Sequence, residues 1–201
     1  MEIIEQLDKQ LFDLVNHHLI NWFFDLFCPI MRNPQVMYII YIIIIVRTYQ
    51  LFPKHFWKIL IAGAITFAIT DQLSASIIKP YFHRLRPCND PTVNVRLLIQ
   101  HCGSGFSFVS AHATNTFGMA TFLTMIRQKR LRSVTVFSLW AFVVSFSQVY
   151  VGIHYPGDVI VGGIIGSIVG ITIGYLSNTY FTKHLIVRGK AAMSETELNQ
   201  P

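Results

Sequence analysis

The chain has 201 residues, of which 52% are hydrophobic and only 13% charged, with a formal charge of +6. A soluble domain carries about a quarter charged residues, so this composition excludes an ordinary soluble fold, and a single membrane domain accounts for the length. The positive charge does not call for nucleic acid, because basic residues beside membrane spans follow from the topology rule alone.

The first stretch, "MEIIEQLDKQLFDLVNHHL", carries acids early and lacks a basic start followed by an apolar core, so it does not read as a cleavable signal peptide. Ile4, Leu7, Leu11, Leu14 and Val15 recur at helical spacing, with Glu5, Asp8, Lys9 and Gln10 elsewhere. Residues 1–34 are expected to form an interfacial, amphipathic segment. Within it "LINWFFDLFCPIM" (19–31) is short and holds Asp25; it is interfacial, re-entrant or part of a sixth span.

Five stretches approach the ~20 apolar residues that a span requires. They are residues 35–52, 56–79, 110–126 (polar at its start), 133–151 and 157–181. The expected fold class is therefore all-α: a polytopic transmembrane helical bundle of five to six spans over 35–181. Residues 182–201 form a polar tail expected to lack fixed structure. Arg47, Lys54 and Lys58, then Arg127, Lys129, Arg130 and Arg132, then Lys183, Arg188 and Lys190 fall in alternate loops. They mark one face as cytoplasmic. Loop 80–109 and the turn near 152–156 then belong to the opposite face. Few basic residues reach that face, yet Lys79, Arg84 and Arg86 crowd into "KPYFHRLRP". That clustering against the charge bias points to another task. Cys88 and Cys102 share the same outer loop and are a disulfide candidate; Cys28 is left over. Gly162, Gly166, Gly170 and Gly174 give the last span a smooth face, for packing within the bundle or for a homodimer.

Three separated stretches deliver polar residues to this outer face. Lys79 and Arg86 follow the second span, Ser110 and His112 open the third, and Ser147 and Gln148 close the fourth. His154 and Asp158 lead into the fifth. Ionisable residues at such depth are costly and are functional candidates by default. Cations, histidines, a carboxylate and hydroxyl or amide donors make an anion site, and the fork of arginine beside lysine suits phosphate. His154 stands just before a helix start, where free N–H groups favour an anion. Asp158, one turn on, can hold one ring nitrogen of His154 and leave the other to attack. His112 can then protonate the leaving oxygen. A His/His/Asp zinc site is the alternative, opposed by the crowded cations. His17, His18, His55, His101 and His184 read as ordinary interfacial side chains; His83, inside the basic cluster, stays open.

"K-x6-RP" (Lys79 through Arg86-Pro87), "VSAH" (109–112) and "SQVYVGIHYPGD" (147–158) occur in order. Together they resemble the motifs of the type 2 phosphatidic acid phosphatase family, integral-membrane lipid phosphatases related to vanadium haloperoxidases. The resemblance implies that His154 forms a phosphohistidine, Asp158 orients it and His112 serves as general acid. It implies that Lys79, Arg86, Ser110, the backbone near Ala111, and Ser147 with its neighbour bind phosphoryl oxygens. It implies no metal and no cofactor. The implied substrates are phospholipid, polyprenyl diphosphate or lipid A: undecaprenyl diphosphate, lipid A phosphate, phosphatidylglycerol phosphate or phosphatidate. The implied location is a bacterial inner membrane, with the site facing the periplasm.

Three residues depart from the family pattern. Val109 stands for its proline, Ala111 for its glycine and Gln148 for its arginine. Glutamine donates hydrogen bonds but lacks the charge and the fork. Arg84 is the candidate to compensate. If nothing does, the alternative is a non-catalytic lipid-binding or transport protein on the same scaffold.

Overall fold

A computed structural model describes residues 2–103, 105–127 and 131–198. Among them there are helices and loops and no strand. Helix α1 (Glu2–Asp13) leads through a π-helical turn into α2 (Trp22–Met31). Then come α3 (Pro34–Leu51), α4 (Phe56–Gln72), the short α5 (Lys79–Phe82), α6 (Ala111–Ile126), α7 (Leu131–Tyr150) and α8 (Pro156–Leu198). The tail expected to lack structure instead continues α8 through Leu198.

Helix α1 is built inside out relative to a soluble helix. Ile3, Ile4, Leu7 and Leu11 are exposed, while Asp8, Phe12 and Asn16 are buried against the rest of the chain. An outward apolar stripe beside a membrane bundle fits the interface. Asn16 fixes the segment: its amide donates to the carbonyls of Arg96 and Tyr150 (3.0 and 2.9 Å) and accepts from the Arg96 N–H (2.8 Å). Helix α2 has ten residues. At 1.5 Å per residue it spans about half the ~30 Å hydrocarbon core, too little to cross. Asp25 bonds the Tyr150 hydroxyl (2.6 Å) and Arg96 (2.5 Å), which holds α2 at the end of the bundle that carries loop 80–109. Helix α2 by itself is therefore too short to be a span.

Four helices are long and apolar enough to cross a membrane: Pro34–Leu51, the run containing α4, Leu131–Tyr150 and Pro156–Tyr180. Helix α6 is shorter, at sixteen residues, and lies enclosed by α4, α7 and α8. Enclosure explains its polar sequence. Thr114, Thr116, Thr121 and Thr124 each return their hydroxyl to the carbonyl four residues back, at 2.7–2.9 Å, so no hydroxyl is stranded in hydrocarbon. The glycine stripe of α8 faces α6. A Cβ on Gly166 or Gly170 would stand 2.1 Å from the carbonyl oxygen of Thr114 or Gly118. The stripe is thus occupied inside the chain, and the feature that suggested a homodimer has an internal partner.

Loop 80–109 is tied down at several points. A disulfide joins Cys88 to Cys102, with their Cα atoms 5.8 Å apart. The Ser107 N–H donates to the Arg84 carbonyl (2.7 Å) and Leu98 to Val151 (3.3 Å). Lys9 on α1 reaches Thr92 (3.1 Å) and Asp90 (3.5 Å). This anchored loop, α1 and the starts of α6 and α8 together enclose the polar end of the bundle.

Candidate active site

The turn from α7 into α8 is set by backbone. Gly152 has φ +92°, and a Cβ there would meet Val95 at 2.7 Å and the Arg96 carbonyl at 3.0 Å, so only glycine fits. The chain then folds back, and the N–H groups of Ile153 and His154 both donate to the Gln148 carbonyl (3.3 Å each). Pro156 opens α8 with its φ pre-set for the first helical position. His154 is left 2% exposed and Asp158 fully buried.

Asp158 is fully engaged. Its Oδ1 accepts from Arg84 Nη1 (2.8 Å). Its Oδ2 accepts from the Tyr155 N–H (2.9 Å), from the Ser107 hydroxyl and from His154 Nδ1 (3.3 Å). Because Ser107 donates to the carboxylate, it leaves the Nδ1 proton to Asp158 as well, although its Oγ lies 3.4 Å from that nitrogen. This fixes the tautomer: Nδ1 carries hydrogen and Nε2 is the free lone pair. Nε2 faces Arg86 Nη1 at 3.5 Å. Burial lowers the His154 pKa to about 4; Asp158 opposes this, while Arg86 and Lys79 reinforce it. The ring is therefore neutral, and nucleophilic at Nε2, across neutral pH.

The structure corrects two expectations here. The start of α8 is not open to phosphate. Asp158 takes the Tyr155 N–H as the third residue of a capping arrangement, and Asp8 of α1 takes the Gly157 N–H (2.7 Å). Two carboxylates of the protein itself fill that positive end. Arg84 is not a spare phosphate ligand either. Its guanidinium bridges Asp158 and Asp8 (2.7 Å to the latter) and lies over the Tyr155 ring at 4.1 Å. It holds the orienting carboxylate.

The helix end that keeps free backbone donors at this site is that of α6. Ser110 caps it, with Oγ accepting from the Ala113 N–H (3.4 Å), and its own N–H donates to the Asp158 carbonyl (3.1 Å), which locks α6 to α8. The N–H groups of Ala111 and His112 begin that helix and lack intrahelical partners. His112 lies within electrostatic reach of His154, Lys79, Arg86 and Arg32. Lys79 follows a π-helical turn (Leu73–Ile78), which re-aims the end of α4 before α5. It interacts electrostatically with Arg86 and Asp158. Arg86 is steadied by Nε on the Gly105 carbonyl (3.3 Å). Lys79, Arg86, His112, His154 and Asp158 thus come within electrostatic reach at one place, with Ala111 beside His112 at the start of α6. Ser147 does not: its hydroxyl donates to the Val143 carbonyl within α7 (2.8 Å). Gln148 is fully buried, and neither atom of its amide has a partner. Sequence reasoning missed Ser107, Asp8 and Arg32. Among the described residues, no group of three or more His, Cys, Asp or Glu is arranged to hold a metal ion.

The signature of the PAP2 superfamily matches residues 57–182, from α4 into α8. The chain belongs to the PAP2 superfamily. It is a multi-pass membrane protein and a lipid phosphatase. It is 34% identical to a lipid A 4′-phosphatase of Bacteroides thetaiotaomicron, over 85% of this chain and 76% of that one. It is 32% identical to a lipid A 4′-phosphatase of Porphyromonas gingivalis, over 85% and 72%. An undecaprenyl-diphosphatase of Sulfolobus acidocaldarius is 34% identical over 63% of this chain and 59% of its own length. The crystal structure of Aquifex aeolicus LpxE superposes with a TM-score of 0.62 at 24% identity, covering 82% of this chain and 92% of that one. At that identity the likeness speaks for the fold.

Proposed function

We propose that this PAP2 phosphatase removes phosphate from lipid A, in the inner membrane of a bacterium, with its site on the periplasmic face. Two long matches to lipid A 4′-phosphatases support that substrate over polyprenyl diphosphates, whose matching relative aligns over less of the chain. The basic loops at the opposite end support the orientation. The observation that carries the chemistry is His154, neutral, with Nδ1 bound to Asp158 and Nε2 turned toward Arg86.

Nε2 attacks phosphorus, the bond from phosphorus to the lipid oxygen breaks, and His112 gives that oxygen a proton. The imidazolium formed at His154 is stabilised by Asp158, whose charge Arg84, Ser107 and the Tyr155 N–H hold in place. Water then attacks phosphorus, His112 takes its proton, the P–Nε2 bond breaks, and inorganic phosphate leaves with His154 restored. Lys79, Arg86 and the α6 N–H groups hold the phosphoryl oxygens, whose charge changes through both steps. The Q148-based reading of a non-catalytic binder loses ground, because a binder has no use for a fixed nucleophile tautomer.

Phosphate release from a panel of lipid A, undecaprenyl diphosphate, phosphatidylglycerol phosphate and phosphatidate, by purified protein, tests this. Lipid A is expected to turn over fastest. Faster release from another lipid overturns the substrate; release from none, with binding unchanged in His154→Ala, favours the binder.

A further inference from the structure

Arg32 stands where the sequence gave no reason to look. It caps α2, its N–H bonded to the Cys28 carbonyl (3.3 Å). Cys28 is buried in one cluster with Tyr150, Val151 and Ile153, beside Ser147. The end of α2 therefore rests on the end of α7, and Arg32 follows one turn beyond that contact. Its guanidinium is near enough to Arg86 and His112 to act on both. Its Nε is buried without a hydrogen-bond partner, and among the described residues no carboxylate pairs with it. A half-buried cation placed beside other cations, with nothing to neutralise it, is costly unless an anion completes the arrangement. Gln148, at the neighbouring end of α7, is a buried amide that likewise finds no partner in the protein. Arg32 Nε and the Gln148 amide are thus both buried and unpaired, and Arg32 acts on Arg86, the residue that faces Nε2 of His154.

We propose that Arg32 binds the phosphoryl group and supplies, from the corner between α2 and α3, the positive charge that Gln148 cannot supply from α7. The assignment rests on the reading of the site as a phosphatase. It gives the N-terminal segment a part in substrate recognition beyond lying at the interface. Gln148 then fills the arginine's usual place with a neutral amide, which spares Arg32 a second guanidinium beside it.

The test uses full-length protein in detergent as wild type, Arg32→Gln, Arg32→Lys, Gln148→Arg and the double variant Arg32→Gln/Gln148→Arg. Two readouts are taken: kcat and KM for lipid phosphate release, and orthovanadate binding by calorimetry, which needs no turnover. Loss of one charge-assisted bond predicts that Arg32→Gln weakens vanadate binding and lowers kcat/KM by roughly 10- to 100-fold. Arg32→Lys keeps part of both. Gln148→Arg restores most of the loss in the double variant, an outcome that a merely structural role for Arg32 does not produce. Wild-type vanadate affinity in Arg32→Gln, or two arginine changes that are simply additive, overturns the proposal. If wild type releases no phosphate from any lipid, the phosphatase reading fails, and Arg32 is judged on vanadate binding alone.

Discussion

Ten residues apart in sequence, the end of α7 and the start of α8 each bury a polar side chain, and they treat it in opposite ways. Both oxygens of Asp158 accept hydrogen bonds, four in all, from Arg84, Tyr155, Ser107 and His154. Gln148 has no partner at either amide atom. A saturated carboxylate cannot rotate, change its charge or bind substrate; it serves to hold His154. An unpaired buried amide adds no hydrogen bond to the fold and carries the cost of its own desolvation. The two are separated by one turn of chain: one side is fixed by the protein's own hydrogen bonds, and the other holds a buried amide that the protein leaves unbonded.

The contrast is broken most severely by Asp158→Asn. The amide cannot accept from all its present donors, and it favours the wrong His154 tautomer. We expect kcat to fall by about a thousandfold or more, by analogy with other His–Asp pairs, with KM changed far less. Phosphate-release kinetics on folded protein check this, and a loss below tenfold would show that the carboxylate does not orient the ring.

The second test concerns charge. Burial lowers the His154 pKa to about 4, below the ordinary 6.5. Between those values the unfolded chain binds the extra proton and the folded one does not, so stability rises with pH. It falls as pH drops from 6.5 toward 4, by up to about 3 kcal/mol. Melting temperature against pH should show this slope in wild type and a shallower one in His154→Gln. Equal slopes would mean that His154 is charged in the fold.

The smallest effect is expected at the other side of the contrast. Removing a buried amide that bonds nothing relieves a desolvation cost, so Gln148→Met should leave stability unchanged or raise it by about 1 kcal/mol. Thermal unfolding decides it. A marked loss would show that the amide has a partner in the folded chain.

Much of this site was legible because its motifs are local or lie at helix ends. His154 and Asp158 are four apart, so any helix there brings them together; Lys79, Arg86 and His112 each border a span, which puts them at one depth. What stayed illegible is long-range. Asp8 reaches Arg84 across 76 positions and Gly157 across 149. In sequence it is one acid on the polar face of an amphipathic helix. Ser107 is one serine among several in "GSGFSFVS", and Arg32 one of the scattered outer basic residues. The α8 start was misread for the same reason: free N–H groups are predictable from a helix boundary, but the carboxylate that fills them comes from another helix. Ser147 was misread because a hydroxyl inside a helix can turn back to its own carbonyl. The span lengths were clear, but the enclosure of short, polar α6 appears only once its neighbours are in place.

The central claim is that His154 Nε2 attacks phosphorus. Its most direct test is rapid alkaline quench of the protein with lipid carrying labelled phosphate, followed by peptide mapping at alkaline pH. The account predicts an acid-labile, alkali-stable phosphoryl group on His154, absent in His154→Ala, which also releases no phosphate. Phosphate release by His154→Ala at the wild-type rate would contradict it.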